Sequence, residues 1–424
     1  MSCLIMNKKQ CDIAIIGAGA AGCMAAIQAA SLNAHVILLE RNTSLAQKIL
    51  LTGNGRCNLT NAASVDQYIK VFKHSGKFLG TAFAKFFSHD LCDFFSQKGL
   101  KFKIEDKGKV FPDTDKARSI VTILGQYLKE NNVDVVFNAQ VLELNNNKTH
   151  FLIHAQNNLL VETKKIILAT GGACYPSTGS DGSGARIAEK LGHTLIPFSP
   201  GLVSLKTAEP WVKDLQGLSF SNVCITVDSA KKKTSGPGDI LFTHFGLSGP
   251  LILDESADII FNLGSKNALK LTINLIPSLS KDQLAAKLAQ TFLAQGTSQA
   301  CNLLNNFLPK RMAPIFLSLA NVRPDKMLNQ ITKKERLVII EMLKRFPLTI
   351  TGALSMDHAM VSNGGIDIHD IHQKTMESKL VPGLYFAGEM IDGRAPSGGY
   401  NLQQAFSTGF LAGESAAKSL EKHD

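Results

Sequence analysis

The chain has 424 residues, with 45 Lys and Arg against 35 Asp and Glu, and 45% of it is hydrophobic. That length supports two or three domains with sizeable cores. No apolar run reaches the roughly 18 residues of a membrane span, and the segment before residue 10 lacks the apolar centre of a signal peptide, so a cytoplasmic protein is expected. Cys3, Cys11, Cys23, Cys57, Cys92, Cys174, Cys224 and Cys301 are scattered without a C-x-x-C pair. This argues against a disulfide framework, a zinc ribbon or a dithiol reductase.

Residues 12–40 carry the most informative pattern. A buried strand, Asp12 to Ile16, runs into Gly17, Gly19 and Gly22. A small-residue helix with Ala20, Ala21, Ala25 and Ala26 follows, then a second strand, His35 to Leu39, that ends in Glu40. This is a dinucleotide-binding fingerprint in its strand–helix–strand context. Gly17 serves the tight turn, Gly19 admits a pyrophosphate to the backbone, and Gly22 lets helix and strand approach. The helix start offers N–H groups to phosphate, and Glu40 offers a carboxylate to ribose hydroxyls.

Residues 44–62 are rich in glycine and polar side chains and too long for a plain connection, which suggests a functional loop. Residues 83–98 read as one helix with Phe83, Phe86, Phe87, Leu91, Phe94 and Phe95 as a core stripe. Short strands are expected over 100–110 and a helix over 115–130. Residues 133–137, 141–144 and 151–154 read as strands of a smaller sheet. Lys165 to Gly172 is a buried strand ending in two glycines, and a short helix follows within 180–192.

From about Pro197 short strands dominate, including one expected at Leu251 to Leu253, and they suggest a small β-barrel or sandwich. From Lys281 the pattern is helical, with Leu284, Leu288 and Phe292 on one face and Leu337, Ile340 and Leu343 on another. The run Lys231 to Lys233 reads as an exposed loop. Between Lys310 and Arg345 there are nine Lys and Arg against three Asp and Glu. Such a stretch can attract an anionic substrate or RNA, although a solvated helix surface is the simpler reading. From Ile350 the chain is again glycine-rich.

Near the C-terminus a strand, Leu384 to Ala387, ends at Gly388 and Glu389, and a helix begins near Asn401. An acid after such a strand can bond ribityl hydroxyls. A helix start can stabilise charge at the N1–C2=O edge of a flavin. This second arm favours FAD over NAD as the bound cofactor.

Taken together these residues resemble the BaiN/YhiN-like family of FAD-dependent oxidoreductases over about residues 11–414. The blocks that carry the resemblance are Lys48 with Thr52 to Asn61, Gly108 to Pro112 with Lys116 and Ala117, and Ala169 to Gly179. Further blocks are Phe242 to Pro250, Thr375 to Lys379 and Gly398 to Gln403. The resemblance implies an α/β fold. A discontinuous Rossmann-like FAD domain (1–196 and 349–424) would be interrupted by a β-barrel-like insert (197–278) and a helical subdomain (279–348). Two departures stand out. Val361 to Ile366 replaces the commoner Thr-x-Gly-Gly-Val block but keeps Gly364 and Gly365 for a turn. Arg394 and Pro396 are unusual, which makes Arg394 a substrate-site candidate.

The implied activity is flavin-dependent oxidoreduction. FAD would be held by Gly17, Gly19, Ala20, Ala21, Gly22, Glu40 and Arg41 in the first arm. Lys48, Gly53, Gly55, Arg56, Cys57, Asn58 and Thr60 in the motif loop would contribute, as would Val141, Thr170, Gly171 and Gly172. The second arm adds Gly388, Glu389, Asp392, Gly399, Tyr400, Asn401 and Leu402. No metal-ligand spacing stands out. No second glycine fingerprint exists, so NAD(P)H is expected to dock transiently as hydride donor. The expected acceptor is a small organic substrate with a conjugated C=C. Catalytic candidates are Arg56, which can fork onto paired oxygens, Asn58, Tyr175 and Tyr400 as a polar and proton-donating set, and His244 from the barrel motif. Each has a plain alternative: a surface arginine, loop capping, packed aromatics with bonded hydroxyls, and a turn histidine. Cys57 and Cys174 are read as buried thiols. An FAD-containing protein that binds or modifies RNA through the basic insert is the alternative function.

Overall fold

The central strand Asn7–Ile16 buries Ile13, Ala14 and Ile15 completely. Burial on both faces is what a parallel strand inside an α/β sheet requires. The computed structural model describes residues 7–147, 149–228, 233–264 and 266–421, so Cys3, Lys231 and Lys232 lie outside it. The described residues up to Gly201 and from Met356 onward form one compact unit, and Leu202–Ser355 form another.

The first unit is built on a seven-stranded sheet. Asp134–Val136, Val36–Leu39, Asn7–Ile16 and Leu159–Leu168 lie side by side and parallel. The last of these then forks. Its first half pairs antiparallel with Phe151–Ala155, which pairs with Val141–Asn146. Its second half pairs parallel with Leu384–Phe386. The expected smaller sheet is therefore not separate. Its strands extend the main sheet at both edges: Asp134–Val136 pairs with Val36–Leu39 on one side, and Phe151–Ala155 with Val141–Asn146 adds to the first half of Leu159–Leu168 on the other.

The helix Ala20–Ser31 packs on the helix Tyr400–Lys418. A Cβ at Gly409 would lie 2.3 Å from the Ala21 carbonyl oxygen, and one at Gly413 would lie 2.4 Å from that of Ala25. The two ends of the chain thus meet backbone to backbone. The expected 83–98 helix is two helices, Gly76–Lys85 and Ser88–Ser96. The chain breaks at Phe86 and Phe87, where the Phe87 N–H bonds to the Asp90 carboxylate as a start signal. Both rings stay buried, so the apolar stripe is real although the helix is not continuous.

The second unit is a closed six-stranded barrel. In order around it run Leu205–Thr207, Gly246–Ser248, Lys233–Thr243, Ser219–Val227, Leu269–Asn274 and Phe346–Ala353. Its helices do not carry a separate core. Phe316 from the helix Ala313–Leu319 stacks on Phe346 of the barrel with ring centroids 5.9 Å apart. The segment expected as a strand at Leu251 lies in the helix Pro250–Leu263. Proline at the first helical position and apolar residues at Ile252, Ile259 and Leu263 favour that outcome. Lys233 begins a strand rather than sitting in a loop, and Leu337 faces outward while Ile340 and Leu343 are buried.

Candidate active site

A deep cleft runs across the first unit, at the ends of the parallel strands. It holds about 1270 Å³ of empty space, part of it open to solvent. It lies outside the carboxyl ends of the strands, where α/β sheets bind their ligands.

The first arm supplies one end of the cleft. Gly17 has φ +99°, and a Cβ there would stand 2.6 Å from the Ala169 carbonyl oxygen. A Cβ at Gly22 would be 1.8 Å from the Gly17 carbonyl oxygen, so no side chain fits between helix and strand. Gly19 is different: a Cβ there would meet nothing within 4 Å and would project into the cleft. This is a cradle that a side chain would fill and that a pyrophosphate needs. The Glu40 carboxylate accepts from the Ala18 N–H at 2.8 Å and from the Asn42 backbone and side-chain amides at 2.8 Å. It is fixed, and Glu40 lines the cleft. The residues present fit the phosphate and ribose of a dinucleotide.

A clasp closes over this end. Arg41 Nη1 bonds to the Asp181 carboxylate at 2.7 Å, and Asn42 Nδ2 bonds to the Thr178 carbonyl at 3.0 Å. Burial raises the Asp181 pKa, but the bonds from Ser183 and Arg41 outweigh it and bring the group down to about 2. Thr178, Gly179, Ser180 and Ser183 all line the cleft beside Glu40. The sequence reading missed this strap. The only signal was Pro176 and the glycines around it.

The second arm lines the same cleft. Gly388, Glu389, Asn401 and Leu402 face it together with Lys48, Val141, Thr170 and Gly171. Lys48 Nζ bonds to Glu389 Oε2 at 2.5 Å. The other oxygen, Oε1, accepts from the Ser362 N–H at 2.7 Å. Met360, Val361 and Thr52 also line this end and were not anticipated. Val361–Ile366 is a strand, not a turn. It pairs with Leu195–Gly201, and Gly364 and Gly365 take φ +97° and +132° within it.

Several expected contact residues do not line the cleft. Arg56 is held by Glu105 and by Asp115, and lies over the Phe111 ring at 4.2 Å. Those carboxylates raise its pKa, and they leave no fork directed at the cleft. The Asn58 amide, oriented by its neighbours, donates to the Val110 and Thr60 carbonyls and accepts from the Gly399 N–H at 3.0 Å. The Thr60 hydroxyl bonds to Gln403 Oε1 at 2.6 Å and meets the Tyr68 hydroxyl at 3.0 Å. Asn61 Nδ2 donates to the Gly398 carbonyl at 2.9 Å. These side chains hold the backbone of the second arm and do not reach into the cleft.

Gly53, Gly55 and Cys57 shape the motif loop through positive φ, and burial pushes the Cys57 thiol up to about 12. The Cys174 thiol is likewise buried and pushed up to about 11. Gly172 packs against Ser362, and Asp392 pairs with His74 at 2.9 Å. Gly399, with φ +94°, would put a Cβ 2.2 Å from the Thr60 carbonyl oxygen, so it packs where any side chain would collide. The Tyr400 ring stands edge-on to Tyr68 at 4.7 Å. Tyr175 has φ +57° and lies with its ring centroid 6.0 Å from Lys48 Nζ, at the edge of the second arm. His244 belongs to the second unit, exposed on the turn between Lys233–Thr243 and Gly246–Ser248, with its ring edge-on to Phe245. Arg394 Nε donates to Asn363 Oδ1 at 3.3 Å.

A family model described as HI0933-like protein Rossmann domain matches residues 11–415. The chain belongs to that family. Among HI0933-like relatives, a 3-dehydro-bile acid delta(4,6)-reductase of Clostridium scindens is 32% identical, covering 96% of this chain and 99% of that one. A ribosomal RNA dihydrouridine synthase of Escherichia coli is also 32% identical, covering 96% and 99%. Its namesake in Haemophilus influenzae is 29% identical, covering 95% and 98%. Solved structures share the fold at low identity. A flavocytochrome c3 fumarate reductase matches with TM-score 0.52 and 16% identity, covering 97% of this chain and 78% of that one. A 3-ketosteroid-delta4-(5alpha)-dehydrogenase from Rhodococcus jostii matches with TM-score 0.52 and 15% identity, covering 98% of each. No helix of the described residues is long and apolar enough to cross a membrane.

Proposed function

We propose that this HI0933-like protein is an FAD-dependent oxidoreductase that reduces a C=C bond conjugated to a carbonyl. The observation that carries the reading is one cleft lined by two arms far apart in the chain, Gly17 to Glu40 and Gly388 to Leu402. An NAD-binding fold needs the first arm alone. The second supplies the acid and the helix start that an extended flavin uses.

When held by the residues of the two arms, FAD would supply two-electron hydride chemistry at N5 for addition to the β-carbon of the substrate. NAD(P)H is the proposed donor. The balance is one NAD(P)H and one proton consumed for each C=C converted to CH–CH, with NAD(P)⁺ released. Around that chemistry the chain's residues have separate tasks. Gly19 leaves room for the pyrophosphate, Glu40 orients the ribose, and the Arg41–Asp181 clasp covers that end. Glu389 and Lys48 face the flavin end, beside the start of the Tyr400–Lys418 helix. Tyr175 and Tyr400 are the proposed sources of the α-carbon proton, and Arg394 remains a proposed substrate contact.

The relatives sharpen the substrate class. One is named for reducing a bile acid and two for making dihydrouridine in ribosomal RNA. Both names describe adding two hydrogens across a C=C beside a carbonyl. A second reading therefore has specific support: the substrate is a uracil within RNA. The +10 net charge agrees with it. The Lys310–Arg345 stretch adds less than its composition suggests. Lys326 is bonded to Glu335, Lys344 to two backbone carbonyls, and Arg311 to those of Asp214 and Gln216.

The purified protein is expected to be yellow or to become so on reconstitution with FAD. Anaerobic NADH or NADPH should bleach it, and a steroid enone or a uracil-containing RNA should restore the colour. A protein that takes up no FAD, or a flavin that neither nicotinamide reduces, would overturn the reading or its donor respectively. Reoxidation by RNA and not by enones would decide for the second substrate.

A further inference from the structure

We infer that Lys48 sets the reduction potential of the flavin, acting as the counter-charge to the negative charge that reduction brings. The inference rests on the FAD reading above and assigns a role within it.

The two members of the Lys48–Glu389 pair are held differently. Glu389 is fastened in place. One oxygen accepts from Lys48 Nζ at 2.5 Å and the other from the Ser362 N–H at 2.7 Å. Ser362 is itself locked, since its hydroxyl accepts from the Ala173 N–H at 2.7 Å. Gly172 closes the remaining space. A Cβ there would lie 2.3 Å from Ser362 Oγ and 3.4 Å from the Glu389 carboxyl carbon. The carboxylate is therefore tied to the wall of the cleft and cannot follow a moving partner.

Lys48 lines the cleft as well. An ammonium has three N–H donors, and among the described residues Glu389 is the single hydrogen-bond acceptor on this one. The Tyr175 ring lies beside it at 6.0 Å. Both members of the pair are about three-quarters buried, so water screens them only in part. A cation and a fixed anion thus line the cleft together with Asn401 and Leu402, where the reading above puts the flavin ring. Hydride transfer to FAD adds one negative charge to that ring. A cation lining the cleft stabilises the reduced form more than the oxidised form, which raises the potential.

The test is a midpoint-potential measurement on reconstituted wild type, Lys48→Met, Lys48→Arg and Glu389→Gln, alongside FAD affinity. Lys48→Met should favour reduced FAD over oxidised FAD about tenfold less than wild type, about 30 mV more negative for a two-electron couple. Lys48→Arg should restore most of the shift. Glu389→Gln, which leaves the lysine uncompensated, should move the potential in the positive direction and serves if Lys48→Met loses FAD. A Lys48→Met protein that binds FAD at an unchanged potential, or a Glu389→Gln shift in the negative direction, would overturn the assignment while leaving the FAD reading intact. A wild type that binds no FAD would sink both.

Discussion

The two arms of the cleft are built on opposite principles. The first is almost all backbone. Gly17, Gly19 and Gly22 act through absent side chains, and Glu40 adds a carboxylate at the end of the second strand. The second is held by a buried polar network that ties Asn58, Thr60, Asn61 and Tyr68 to Gly398, Gly399 and Gln403. The lesson is that polar residues in a glycine-rich motif need not face a cleft. Here they are consumed in fixing the chain that lines it.

That contrast can be broken within the first arm. Gly22→Ala pushes a methyl group into the Gly17 carbonyl and should cost about 3 kcal/mol or more, the upper end of overpacking penalties. Thermal unfolding of the apoprotein would read it. Gly19→Ala should leave apoprotein stability nearly unchanged and instead weaken FAD binding, because its methyl group enters only the cradle. Equal loss of stability in both variants would show that Gly19 is a packing glycine as well.

The second arm should respond to loss of a hydrogen bond and not to crowding. Thr60→Val removes the partner of Gln403 and Tyr68 in a fully buried site, at a cost of ~1–3 kcal/mol, with looser FAD binding as a consequence. Chemical denaturation and a flavin titration measure the two effects. Unchanged stability would mean that the network re-forms without the hydroxyl.

Smaller effects are expected at the clasp. Asp181→Asn should speed FAD release several-fold and also lower apoprotein stability, because the Arg41 pair, which adds to the Ser183 bonds in depressing its pKa, belongs to the fold itself. The depressed pKa fixes the sign of the pH dependence. The wild-type advantage is complete above the ordinary value of 3.8 and fades as pH falls towards about 2. Stopped-flow release after dilution would test it, and equal rates at pH 6 would rule the clasp out. The smallest effect belongs to Arg56→Ala. Its exposed pairs with Glu105 and Asp115 contribute little stability, so FAD content and flavin reoxidation by substrate should be retained. Abolished reoxidation with FAD still bound would return Arg56 to the substrate site.

Much of this was legible beforehand where a signal is local. The turn after Ile16, the acid at Glu40, the strand Leu384–Phe386 and the helix start near Asn401 follow from spacing and small residues alone. Less legible were features that depend on partners far along the chain. Arg56 reads as an anion-binding fork until Glu105 and Asp115 fold against it. Leu251 reads as a strand because a short apolar run has no clear period, and Pro250 decides the matter.

The amino-acid sequence by itself determined the strand–glycine–helix unit, the second arm and the change of character near Pro197. Each is a matter of backbone freedom or hydrophobic period within a few residues. Only the tertiary structure decided which polar groups face the cleft. Hydrogen-bond partners such as Lys48 and Glu389 are 341 residues apart, and a carboxylate or amide has many possible partners until packing leaves it one.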